Sequence, residues 1–179
     1  MQFYGYFTEM VKDMAHYFST LIQSIKRIGV LAQRPLTEGE KNLVRSIFAD
    51  TIQLDRVQIV AHKAILKNYA MSPNGHIYFH QQNYCQDFSK CSLRLQSWFM
   101  HEMTHVWQYQ QGIAVVRKAL FDRRYAYVLE QGKLFLHYGI EQQAQMVQDY
   151  FLKKHYGEEC SAYEQCIPFV AHKASFWPR

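Results

Sequence analysis

Glycine and proline are scarce in this chain, 8 and 4 of its 179 residues. That scarcity excludes collagen-like and Gly/Pro-rich low-complexity architectures. Long apolar runs are also missing, and none approaches the roughly 20 residues a membrane-spanning helix requires. At the N-terminus Tyr4, Glu9, Lys12 and Asp13 interrupt any apolar stretch, so no secretory leader is expected there. The location this implies is the cytoplasm of the producing cell, or export by a route without a cleaved leader. The four cysteines stand as Cys85 with Cys91 and Cys160 with Cys166. Neither spacing is the two-residue gap of zinc ribbons and redox motifs. Local disulfides in an oxidising compartment and free thiols are both compatible with it. A nucleic-acid motif is lacking as well. The net charge is +5, but the basic residues are dispersed, with Arg123-Arg124 the one pair in a suggestive setting. A solvated basic surface and no nucleic-acid partner are therefore expected.

What is present is enough chain for one domain with a real core, taken as residues 1–179. Phe7, Met10, Val11, Met14, Phe18, Leu21, Ile22 and Ile25 lie on one helical face. This predicts an N-terminal amphipathic helical extension over 1–34, its apolar face packed on the rest of the domain. After Pro35, the run Thr37-Glu38-Gly39-Glu40 forms a capping box for a helix through Phe48. Val57 to Val60 and His76 to His80 read as strands, the second following the turn Ser72-Pro73-Asn74-Gly75. A polar loop, Gln81 to Ser92, leads into a helix that ends where Gly112 can cap it. Val115 to Lys133 is expected to be helical though poorly patterned, and Ile140 to Tyr156 is a clear helix stopped by Gly157. The predicted fold is α+β, mostly helical, with a small β-sheet. Residues 36–156 form the core and 157–179 a C-terminal segment.

The decisive motif is His101-Glu102-Met103-Thr104-His105. On a helix, residues four apart project from one side, so two imidazoles can take adjacent corners of a tetrahedral zinc. Glu102 then sits where it can take a proton from water that the ion has acidified. In a chain with nine histidines a chance match is a real alternative. The helical wheel argues against it. Leu95, Phe99, Met103, Val106 and Trp107 form an apolar back, while His101, His105 and Gln108 share the polar front with Glu102 beside them. A helix of that kind suits the floor of a cleft.

A catalytic zinc normally takes three protein ligands. The extended motif with a third histidine fails, because that position is Gln111. Glu141, opening the helix Glu141-Gln142-Gln143-Ala144-Gln145, is the leading third ligand, with small Ala144 permitting close approach. Glu130 is the fallback. A solvated carboxylate at a helix start is the plain alternative for Glu141. The strand His76 to His80 is the expected edge strand for pairing an extended peptide. His137, Tyr138 and His155 are candidate oxyanion donors, and Asp149 or Gln145 candidate orienters of a ligand histidine.

From about Leu36 to Tyr156 the sequence resembles the zinc-metallopeptidase toxin domains at the ends of type VI secretion spike proteins of the VgrG type, and their stand-alone relatives. The resemblance rests on Leu36-Thr37-Glu38-Gly39-Glu40, Gly75-His76-Ile77-Tyr78-Phe79, Trp98 through Gln110, and Tyr138-Gly139-Ile140-Glu141-Gln142-Gln143-Ala144. It implies a zincin-like metallopeptidase fold, Zn2+ as cofactor, His101, His105 and Glu141 as ligands and Glu102 as the catalytic base. It further implies a protein or peptide substrate, a secretion carrier, an immunity protein, and delivery into the periplasm of a competing bacterium. The sequence departs from the fused form in lacking a spike domain, so delivery would need docking to a carrier. Two rival readings remain: a peptidoglycan amidase or endopeptidase, and a non-catalytic zinc-containing binding or adaptor domain.

Overall fold

The computed structural model describes residues 29–115 and 124–170. It is an α+β structure in which helices pack on a small mixed sheet. Strand β1 (Val30–Pro35) leads into helix α1 (Glu38–Phe48), and strands β2 (Gln58–His62), β3 (Ala70–Met71) and β4 (Ile77–Phe79) follow. Helix α2 (Leu93–Gln110) carries the motif, and α3 (Ile140–His155) and the short α4 (Ser161–Cys166) complete the described elements. The sheet order is β1-β2-β4-β3. The β1/β2 and β3/β4 pairs are antiparallel, whereas β2 and β4 run parallel.

Local chemistry sets the helix boundaries. Thr37 accepts from the Glu40 amide and Glu40 accepts from the Thr37 amide, closing the expected capping box of α1. Glu40 does more than cap. Fully buried, it takes two hydrogen bonds from the Arg34 guanidinium, at 2.8 and 2.7 Å, and one from the Phe88 amide at 2.8 Å. One carboxylate thus ties β1, α1 and the loop before α2 together. Helix α2 ends with Gly112 at φ 76°, a left-handed position glycine adopts without strain.

The core is continuous from the sheet to α2. Phe79 stacks on Phe88 at 4.7 Å and Phe88 on Phe99 at 5.1 Å, while Trp98 meets Phe79 edge-on at 5.2 Å. Such pairs add about 0.5–1.5 kcal/mol each beyond their buried area. A second aromatic group, Trp107, Phe135, Phe169 and Phe48, closes the far end. On the other face of the sheet, Val60, Ile65 and Tyr78 form a small separate cluster.

Several expectations need correction. Most of the N-terminal extension lies outside the described residues, but its last part, 30–34, is strand β1 rather than helix. The apolar helical spacing ends at Ile25, and pairing with β2 sets the conformation of the residues that follow Gly29. The strand around Ile77 is interior, bonded on both sides, and the edge nearest it is β3. Residues 124–130 are not helical, and 116–123 lie outside the described residues. Of the two states left open for the cysteines, all four are free thiols. Cys85 and Cys91 meet side by side, and burial, then Cys91, pushes the Cys85 thiol up to about 12. Cys160 and Cys166 instead turn toward separate carbonyls, those of Glu158 and Lys133.

Candidate metal centre

The site forms where α2 and α3 cross. Helical spacing places His101 and His105 on the same side of α2, with ring centroids 5.1 Å apart. Glu141 enters from the first turn of α3. Its Oε2 lies 3.4 Å from His101 Nε2 and 3.3 Å from His105 Nε2. Donor atoms from the three residues all fall within 4.8 Å of one another. His101, His105 and Glu141 are each buried, at 6%, 5% and 8% exposure. The polar front of α2 is therefore not an open cleft floor, because α3 lies against it. Helical-wheel reasoning treats a polar face as solvated and misses this.

This donor set suits a small divalent ion. Tetrahedral zinc bonds to nitrogen and oxygen are about 2.0–2.2 Å, which places neighbouring ligand atoms about 3.3–3.5 Å apart. The two carboxylate-to-imidazole distances match that edge length. Imidazole nitrogen with carboxylate oxygen is also a donor chemistry zinc accepts well.

Gln108 fixes the state of one ligand. Its amide nitrogen donates to the Ile140 carbonyl at 3.0 Å and to Gln143 Oε1 at 2.9 Å. Its oxygen must then face His105, whose Nδ1 donates to it at 2.8 Å. With the proton on Nδ1, the Nε2 lone pair points to the centre. Neither Asp149 nor Gln145 has the orienting role expected. Asp149 accepts from Tyr127 and Gln145 instead. Gln108 shared the polar face in the sequence, three residues after His105, and that spacing was the available signal.

Electrostatics reinforce the grouping. Burial would raise the Glu141 pKa, but hydrogen bonds to His101 and His105 pull it well below the usual carboxylate range. Burial would lower the His105 pKa, but Glu141, Glu102 and Gln108 together raise it above its ordinary value.

Glu102 is 4% exposed and accepts a 2.9 Å hydrogen bond from Ser72 Oγ. Ser72 directly follows β3 and is 30 residues away in sequence, so no local pattern could have pointed to it. Tyr125 also escaped notice. It stacks on His101 at 5.9 Å, and burial followed by the charge of Glu141 pushes its phenol up to about 12. Other candidates fall away from the centre. Glu130 is exposed and pairs with Lys133 at 2.7 Å. The Tyr138 hydroxyl is engaged between Val128 O and the Glu130 amide, and His137 and His155 are exposed.

No protein-family model matches the chain. The chain is 43% identical over 143 residues to the type VI secretion system spike protein VgrG2b of Pseudomonas aeruginosa. That match covers 73% of this chain but only 14% of the spike protein's length. Among solved structures, the effector domain of Pseudomonas aeruginosa VgrG2b superposes with a TM-score of 0.67 at 38% identity. The likeness covers 87% of this chain and 95% of that domain. With nearly the whole of that domain matched in both sequence and fold, the chain belongs to the family of the VgrG2b effector domain.

Proposed function

We propose that this domain is a zinc-dependent peptidase acting as an effector in a type VI secretion setting. The observation that carries the reading is the convergence of His101, His105 and Glu141 donor atoms within 4.8 Å, with buried Glu102 beside them. A zinc ion held by that triad supplies Lewis acidity, which acidifies water and polarises a carbonyl. Glu102 is the proton acceptor, and later returns the proton to the leaving amine. Ser72 holds one Glu102 oxygen, leaving the other free to face water. Gln108 keeps His105 in the tautomer that presents Nε2. The β3 edge, which runs directly into Ser72, offers backbone groups for pairing an extended substrate.

Support for catalysis, as opposed to metal storage, comes from Glu102. A structural zinc has no use for a buried carboxylate next to the ligand His101 and held by a serine. The relative's type VI assignment supports delivery to a target cell as the setting. The test is cleavage of denatured protein and of purified cell-wall sacculi by wild type beside Glu102→Ala. Cleavage of protein lost in Glu102→Ala with zinc content retained is the expected result. Cleavage of sacculi alone would transfer the reading to a cell-wall hydrolase. Equal behaviour of the two proteins on both substrates would defeat both hydrolytic readings.

A further inference from the structure

Next to the metal centre lies an open cleft of about 550 Å³, lined by Tyr125, Tyr127, Tyr163, Leu129, Gln145 and Asp149, with Ala126 at its side. Nothing in the chemistry proposed above uses it. We propose that this cleft is a substrate subsite that takes a cationic side chain, lysine or arginine, close to the bond being cleaved. The proposal rests on the hydrolase reading for its place in a reaction, though its recognition chemistry stands apart from it.

Position is the first argument. Tyr125 lines the cleft and also stacks on His101, so one side chain borders both the cleft and the metal centre. Gln145 and Asp149 follow Glu141 by one and two helical turns on α3, about 6 and 12 Å along the axis. A metal ligand and two cleft residues thus share one face of a single helix. An extended peptide advances about 3.3–3.6 Å per residue. A side chain one or two residues from the scissile carbonyl therefore comes within reach of the cleft, and lysine or arginine has the long flexible stem to span that distance.

Chemistry is the second. Three tyrosine rings and Leu129 make walls that favour an aliphatic stem and a cation over a ring face. The lining carries one formal charge, the Asp149 carboxylate. That carboxylate is held in place by neutral donors, Tyr127 Oη at 2.6 Å and Gln145 Nε2 at 2.8 Å. Tyr127 is braced in turn by Tyr163 at 3.0 Å. Burial and Asp149 push the Tyr127 phenol upward, so it stays a neutral donor. Each carboxylate oxygen keeps a further lone pair for an incoming N–H. The whole chain carries a net charge of +5, so bulk attraction cannot produce a preference for a cation. Such a preference has to come from this local arrangement.

The experiment is fluorescence anisotropy with zinc-loaded Glu102→Ala protein, which prevents turnover. Labelled peptides of one sequence carry lysine, norleucine or glutamate at a single position, which is scanned through the peptide. At one position the lysine peptide should bind roughly tenfold tighter than the norleucine peptide, with glutamate weakest. Asp149→Asn should abolish that difference, bringing the lysine and norleucine peptides to equal affinity. Equal binding of lysine and norleucine peptides at every position, which needs no cleft variant, would overturn the proposal. Persistence of the lysine preference in a folded Asp149→Asn protein would overturn it too. Cleavage by the wild type is read separately. A lysine preference without cleavage by wild type sinks the hydrolase reading and leaves the subsite, whereas cleavage without the preference does the reverse.

Discussion

Replacing Gln108 should separate what it does for the metal from what it does for the fold. In Gln108→Leu the side chain keeps its bulk but loses three buried hydrogen bonds, to His105, Ile140 O and Gln143. Without the acceptor, His105 is free to change tautomer, and its Nε2 lone pair is no longer held toward Glu141. Losing such an outer partner typically weakens metal binding 10- to 100-fold, or about 1.4–2.7 kcal/mol. The three lost bonds, at about 1 kcal/mol each, should also lower the stability of the metal-free protein by about 3 kcal/mol. Gln108→Glu is the informative partner. It preserves an acceptor for His105 but sets a carboxylate against the Ile140 carbonyl and Gln143 Oε1. Its stability should fall, while its affinity stays within a few-fold of wild type. Zinc competition against a chromophoric chelator reads affinity, and urea unfolding of the metal-free proteins reads stability. If Gln108→Leu binds zinc as wild type does while losing stability, Gln108 merely braces two helices and the tautomer argument is wrong.

Three further outcomes follow from the same geometry. Ser72→Ala should lower kcat about 10- to 100-fold with zinc affinity intact, because a hydrogen bond to a charged carboxylate is worth about 1.5–3 kcal/mol; steady-state kinetics beside a zinc titration would check this. Glu40→Gln should destabilise the domain by about 1.5–3 kcal/mol, since it weakens the charge-assisted hydrogen bonds that the buried carboxylate takes from the half-buried Arg34, and denaturant unfolding measures that directly. Zinc should raise Tm more at pH 8 than at pH 6, a comparison for thermal melts. The raised His105 pKa means that its ion pair with Glu141 supports the metal-free fold in acid and is lost as pH rises through that pKa. The lowered Glu141 pKa keeps the carboxylate charged across this window, so at pH 8 the metal fills a gap that a proton fills at pH 6.

The legible parts of this molecule were those governed by local spacing. The capping box at Thr37 and Glu40, the α2 helix with its two histidines and the α3 helix opening at Glu141 all follow from residues within one or two turns of each other. What spacing could not convey was the meeting of distant segments. Glu40 looked like a cap and is also the buried partner of an arginine on a strand. Ser72 looked like part of a turn and holds Glu102. The strand at 30–35 was hidden because its identity depends on a neighbour across the sheet. Tyr125 sits in a stretch without periodicity, where only packing against His101 gives it meaning.

The strand order also governs how the domain can be attached to something larger. The backbone enters the sheet through β1 on one margin, whereas the margin that runs into Ser72, and so toward Glu102, is β3. Three inter-strand spacings, about 14 Å, separate the two. Among the described residues the backbone thus enters at Val30 on the flank away from Ser72, which leaves the β3 margin clear of the entry point.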